Sequence, residues 1–247
     1  MGKSINYIRA IIVIAIMLCV RSSMLAHDLE GNGLYYNILS ESDKTLEVTF
    51  RGSTYFEYDD EYSGEVIIPS SVTYNDIIYS VTKIGENAFN KCMKLTSIFI
   101  PNSVTEIGVS AFFNCICLES ISIPKTVTKI AEGSFVYCNS LKSIVVDNGN
   151  EVYDSRNNCN VIVHTSTNTL ITAGCENTTI PNTVKRIGNY AFSNNRKLNS
   201  ISIPNSVVEI GDYALNGSDC LTSVSIPNSV TKMGDCVFSY CYDLKYA

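Results

Sequence analysis

Histidine is nearly missing from this 247-residue chain, which has only His27 and His164. Nucleophilic catalysis of the Ser-His-Asp or Cys-His kind needs a base beside its nucleophile, and within the folded part His164 alone could serve. As one residue of a β-hairpin it is better read as ordinary structure. No phosphate-cradling glycine loop, dinucleotide fingerprint or paired-carboxylate motif accompanies it. The sequence therefore predicts no catalytic residues, no metal, no cofactor and no enzyme. Basic residues are also scarce, 18 Lys and Arg against 24 Asp and Glu, for a net charge of −6. Nucleic acids and anionic lipid surfaces are bound by clustered Lys and Arg, so neither is an expected partner. Long apolar runs are missing too. Residues 10–20 are apolar without a break, about half the roughly 20 residues that span a bilayer.

That run has its own explanation. Lys3 and Arg9 precede it and Ala26 offers a small residue at a cleavage point, so residues 1–26 read as a secretory signal peptide. The expected location is exported, either cell surface and extracellular or periplasmic, with no membrane insertion after cleavage. Losing Lys3, Arg9 and Arg21 takes the charge from −6 to −9. The remaining nine cysteines are an odd number, so at least one stays outside any intrachain pair.

What the chain has is repetition. Residues 84–106 return, altered, at 107–129, 187–209 and 210–232, with partial copies from Ile130 and Met233. The step is 23 residues, broken once by a 57-residue interval from 130 to 187. A fixed period of this size marks a solenoid. Each unit carries Leu-x-x-Ile-x-Ile, as in Leu95, Ile98 and Ile100 or Leu118, Ile121 and Ile123, a strand whose apolar side chains point inward. Pro101, Pro124, Pro204 and Pro227 end it. The predicted class is a β-rich α/β solenoid with 23-residue repeats, a parallel sheet on one face and short helical turns elsewhere.

Residues 27–66 depart from the repeat and read as an N-terminal β cap, with the solenoid over 67–247. The acidic run Glu57, Asp59, Asp60 and Glu61 lacks the spacing of a calcium loop and reads as a solvated connection. A hairpin is inserted near 153–180; centred on Thr167, it places Cys159 opposite Cys175 and allows a disulfide between them. Cys92, Cys115, Cys138 and Cys241 fill one repeat position that Asn195 and Ser218 fill elsewhere. The position is expected to want a small, weakly polar side chain rather than a metal or a redox pair. The last unit stops at Ala247 inside its strand, leaving an edge open to another chain or to self-association.

Between the inward residues lie Ser97 and Phe99, Ser120 and Ser122, Ser143 and Val145, Ser200 and Ser202, Ser223 and Ser225. Strand side chains alternate, so these are predicted to form two columns on the exposed sheet face, uncharged and rich in hydroxyls. Such a face suits a broad partner held by hydrogen bonds more than a small molecule in a deep pocket.

The units Ala-Phe-x-x-Cys and Leu-x-Ser-Ile-x-Ile-Pro-Asn-Ser-Val-Thr, repeated over 84–247, resemble the BspA-type leucine-rich repeat family. The resemblance implies a right-handed leucine-rich repeat solenoid. It also implies an exported or surface protein, with adhesion to host matrix proteins or other cells as the family's recurrent role. The expected function is thus non-enzymatic binding of a protein or glycan partner through the repeat surface. The alternative is a periplasmic or envelope module that docks another subunit by its open C-terminal edge.

Overall fold

The computed structural model describes residues 27–55, 57, 59–156, 159–176 and 178–245; the signal peptide expected at 1–26 lies outside them. β1 (Leu29–Gly31), β2 (Leu34–Ser40) and β3 (Thr45–Thr49) form an antiparallel meander. After β4 (Gly64–Ile67), β5 (Ser71–Tyr74) and β6 (Ile77–Ile84) make a hairpin. Each regular coil then adds one strand at its Leu-x-x-Ile motif and a two-residue strand ending at the next isoleucine. These are β7 (Leu95–Phe99), β8 (Glu106–Ile107), β9 (Ser120–Ile123) and β10 (Lys129–Ile130). After β11 (Ser143–Val146) the insertion supplies β12 (Tyr153–Asp154), β13 (Val161–His164) and β14 (Thr169–Ala173). Regular coils resume with β15 (Arg186–Ile187), β16 (Ser200–Ser202), β17 (Glu209–Ile210), β18 (Ser223–Ser225) and β19 (Lys232–Met233).

Identical repeat positions pair across coils, Ser97 with Ser120 and Ser120 with Ser143 for example. One side of the solenoid is the parallel sheet β4–β7–β9–β11, followed separately by the pair β16–β18. The expected single sheet is therefore two. A second side carries β1–β2–β3–β6–β8–β10 and, beyond the insertion, β12–β13–β14–β15–β17–β19. The strands of 27–49 join this second side, where β3 lies parallel to β6.

The third side does not show the expected helical turns: its described residues form successive hydrogen-bonded turns and no α-helix. The fourth and eighth residues of every coil have positive φ. They are Asn87 and Lys91, Ser110 and Asn114, Gly133 and Tyr137, Tyr190 and Asn194, Tyr213 and Gly217, Cys236 and Tyr240. A left-handed residue at every fourth position prevents a helix from propagating. It also turns alternate peptide groups along the solenoid axis. Asn87, Phe89 and Lys91 donate their N–H groups to the carbonyls of Val109, Ala111 and Phe113 in the next coil. Tyr190, Phe192 and Asn194 donate likewise to Asp212, Ala214 and Asn216, and Tyr213, Leu215 and Gly217 to Asp235, Val237 and Ser239. A left-handed non-glycine residue costs about 1–2 kcal/mol, and these intercoil bonds hold it in place.

Inside, Phe89, Phe112 and Phe135 stack face to face at 5.3 and 5.2 Å, with Tyr62 4.9 Å from Phe89. The thiol column has a specific role. Cys115 Sγ donates to Phe89 O at 3.0 Å and Cys138 Sγ to Phe112 O at 3.2 Å. Ser218 Oγ donates to Phe192 O and Cys241 Sγ to Leu215 O, both at 3.1 Å, and Asn195 Nδ2 reaches Gly174 O at 3.1 Å. The position therefore selects a small hydrogen-bond donor that satisfies a buried carbonyl one coil back. Burial pushes the Cys92 and Cys138 thiols up to about 12, and Cys115 well above its ordinary value. A rise of about three pH units cuts the reactive thiolate roughly a thousandfold. Alkylation of the native protein should therefore mark exposed Cys117 and Cys236 first and spare Cys92, Cys115 and Cys138 until denaturant is added. Peptide mass spectrometry reads this directly, and native labelling of Cys138 at the rate of Cys117 would refute it.

The outer edge of the second side carries charges of alternating sign. Glu47 pairs with Lys83 at 3.0 Å, and Lys83 stands in register with Glu106, which meets Lys129 at 2.7 Å. Beyond the insertion Arg186 Nε lies 3.2 Å from Glu209 Oε1, in register with Lys232. Each of these partly exposed pairs contributes on the order of 1 kcal/mol, but a coil slipped by one place would set like charges side by side.

The insertion divides the interior into two apolar clusters, one running from Leu29 to Ile162 and one from Cys159 to Val237. Asn160, buried and left-handed at φ 58°, joins the halves. Its Oδ1 accepts from Ile144 N at 2.8 Å and its Nδ2 donates to Glu176 O at 2.9 Å. Ser155 Oγ accepts from Val146 N at 3.1 Å, so side chains close the last edge of the first sheet. Arg156 holds the loop, chelating Asp154 at 2.7 Å and reaching Asn168 and Thr183. The disulfide between Cys159 and Cys175 is absent. Asn160 bends the chain before β13 begins, and Cys175 N turns away to bond Leu141 O at 2.8 Å.

Candidate binding face

The exposed side of the first sheet is built by strand alternation. Leu95, Ile98, Ile121, Ile123, Ile144 and Val146 are buried beneath it. Above them the register aligns Glu65, Ser97, Ser120 and Ser143 in one column. A second column runs Ile67, Phe99, Ser122 and Val145, as the same registers require. Ser200 and Ser223 form a shorter pair on the other sheet, as do Ser202 and Ser225. Eight of the ten residues singled out in the sequence are exposed, while Ser97 and Ser223 are half-buried. The structure thus brings six of them together on one sheet and places Ser200, Ser202, Ser223 and Ser225 apart, because the insertion interrupts the ladder.

One residue of this face was missed. Ile67 is 71% exposed and stands beside Phe99, itself 60% exposed. An isoleucine and a phenylalanine adjacent in the open are unusual on a surface of hydroxyls. The signal was readable in Val66-Ile67-Ile68-Pro69, the first copy of the strand ending, where Ile67 takes the outward place of Phe99. The face carries few charges, with Glu65 at its N-terminal corner.

The other candidate positions resolve into structure. The acidic residues after β3 point to separate donors: Asp59 to Lys91, Asp60 to Lys94, Glu57 to the Ser53 amide and Glu61 to the Arg51 amide. Burial pushes the Glu61 carboxyl up to about 7. His164 meets Tyr153 edge-on at 5.4 Å and has Ser166 Oγ 3.3 Å from its Nδ1. Cys117, of the Cys-Ile-Cys triplet, is exposed while Cys115 is buried, so the two sulfurs lie in different environments.

Comparison with known proteins agrees with this architecture. The family model for the BspA-type leucine-rich repeat region matches residues 68–172 and 165–247 with six copies. Among solved structures the fold is shared with a leucine-rich repeat protein from Eubacterium ventriosum, at TM-score 0.57 and 24% identity, covering 87% of this chain and 69% of that one. The pneumococcal vaccine antigen PcpA is similar at TM-score 0.51 and 19% identity, over 88% of this chain and 80% of its own. No protein of curated function matches the chain. With its six matched copies covering most of the sequence, and with coils that keep the 23-residue step on either side of the insertion, the chain belongs to the BspA-type leucine-rich repeat family.

Proposed function

We propose that this protein is an exported, non-enzymatic binding protein that holds a protein or glycan partner against the sheet β4–β7–β9–β11. The observation that carries this reading is the face itself. It is a nearly uncharged parallel surface of short hydroxyls with the exposed pair Ile67 and Phe99 at one end. Depletion of charge at the centre, an aromatic anchor and a polar surround are the composition of protein-recognition surfaces. Hydroxyls spaced by strand register also offer donors and acceptors in a repeating grid, which suits an extended ligand. The family's surface proteins supply the expectation of export and adhesion.

The test is binding of the full chain to immobilised matrix proteins and glycans, beside a Ser120→Arg, Ser122→Arg double variant. Both serines are exposed at the centre of the face, so two arginines there leave the interior unchanged. They are expected to weaken binding at least about tenfold, the effect of roughly 1.4 kcal/mol. Undiminished binding by a variant with an unaltered melting curve would remove the face from consideration.

A further inference from the structure

The sheet β16–β18 has an edge, on the side of the insertion, that no strand of the described residues covers. Along each Leu-x-x-Ile strand, backbone groups point alternately to the preceding and the following coil. Asp147 N, for example, reaches back to Ile123 O, while Ile144 N reaches forward to Asn160. By the same alternation Ile201 of β16 faces β18, and the N–H and C=O groups of Ser200 and Ser202 face the insertion. Among the described residues β16 has no strand on that side, for it pairs with β18 alone. Of the described residues on that side, Cys175 N bonds Leu141 O and Thr179 N bonds Cys159 O instead.

Two hollows follow this edge. One, of about 320 Å³, lies between Cys175, Glu176 and Thr178 on one wall and Leu198 to Ser200 on the other. The next, of about 640 Å³, lies between Asn182 and the stretch from Ser202 to Ser206. Lys197 Nζ meets Glu176 Oε1 at 2.8 Å across the first.

An independent sign comes from packing. Ile98, Ile121, Ile144 and Val224 are all buried, whereas Ile201 at the same repeat position is half-exposed. Leu198 is 9% exposed where Leu95, Leu118 and Leu221 are fully buried. Among the described residues β16 thus has no strand partner on this side, and its inward side chains are less covered than their equivalents in the other coils.

We propose that the open edge of β16 receives an extended peptide segment of a partner protein, which pairs with it in parallel and lays an apolar side chain over Ile201. Addition of a strand to a sheet edge draws affinity from main-chain hydrogen bonds and specificity from alternate side chains. The edge is bordered by the insertion, so a single extended segment suits it better than the edge of another folded sheet. The site extends the proposed binding role to backbone recognition, yet it rests on a different sheet from Ser120 and Ser122.

The probe is a fluorescein-labelled heptapeptide with the sequence of residues 118–124, Leu-Glu-Ser-Ile-Ser-Ile-Pro, the strand that precedes β11 in the chain's own ladder. Its first isoleucine would donate N–H to Ser200 O and accept from Ser202 N. Fluorescence anisotropy with the full chain should show saturable binding. Methylation of that isoleucine nitrogen should weaken binding at least about tenfold. Methylation of the following serine nitrogen, which faces away, should leave it unchanged. Ser202→Pro removes the edge donor and should match the first methylated peptide, and the methylated pair, read on the unaltered protein, does not depend on that variant folding. Absence of binding, or equal binding of the two methylated peptides, overturns the proposal. The Ser120→Arg, Ser122→Arg variant should bind the heptapeptide normally, so the two binding readings fail separately.

Discussion

Replacing Asn160 with alanine is expected to lower the unfolding free energy by about 2–5 kcal/mol and to split unfolding into two steps. One buried backbone group, Ile144 N–H, loses its partner, at about 1–3 kcal/mol for an unsatisfied group; the half-buried Glu176 C=O loses Asn160 Nδ2 but keeps Thr178 Oγ1 at 3.4 Å. Alanine at φ 58° adds about 1–2 kcal/mol of backbone strain. Asn160→Gly removes the strain but not the lost bonds, so it should recover only that last part. Because Asn160 spans the junction of the two apolar clusters, the loss falls on their coupling. Solenoid stability is a sum of unit and nearest-neighbour terms, and a weakened junction lets the smaller C-terminal cluster unfold first. Hydrogen exchange resolved by peptide should then show 187–245 opening before 84–146. One cooperative transition, with both halves exchanging together, would show that other contacts carry the junction.

Phe112→Ala should cost about 3–5 kcal/mol, the range for truncating a buried phenylalanine. The ring is fully buried between Phe89 and Phe135, with both neighbours parallel and within 5.3 Å. Its removal opens a cavity that neither neighbour can fill, since each is held by its own coil. Leu215 occupies the equivalent place in a later coil and is also fully buried, so Phe112→Leu should cost below about 1.5 kcal/mol. Denaturant titration followed by circular dichroism measures both. A Phe112→Ala variant no less stable than Phe112→Leu would mean that the stack is ornamental.

The repeat, its strand and its inward residues were legible because a 23-residue step leaves the same side chain at the same place five or six times. The left-handed turns were not. Asparagine and glycine announce such a conformation, and Asn87, Asn114, Gly133 and Gly217 do so here. Lys91, Ser110, Tyr137, Tyr190, Tyr213, Cys236 and Tyr240 adopt it too, because bonds to the adjacent coil outweigh local preference. The expected short helical turns do not form over 84–92 for that reason: the partner that decides the backbone lies in the next coil. The alternating triplets Lys83, Glu106, Lys129 and Arg186, Glu209, Lys232 were fully present in the sequence and needed only to be read at the same 23-residue step on either side of the insertion. The candidate face was legible as a set of serines. Its division was not, because the break depends on Asn160 and Ser155 taking the place of a strand.

The turn side also has an electrical consequence. In the coils that start at 84, 187 and 210 the peptide groups preceding the fourth, sixth and eighth residues lie along the solenoid axis, carbonyl toward the preceding coil and N–H toward the following one. Their dipoles align head to tail, as they do in an α-helix, but along a path that crosses the chain instead of following it. Three such rows run through coils 187 to 241. Each run of coils, before and after the insertion, is therefore polar along its axis, with its N–H groups directed toward the later coil. A fibre grown from more of these units would lengthen the same oriented field, and reversing a single coil within it would set dipole against dipole.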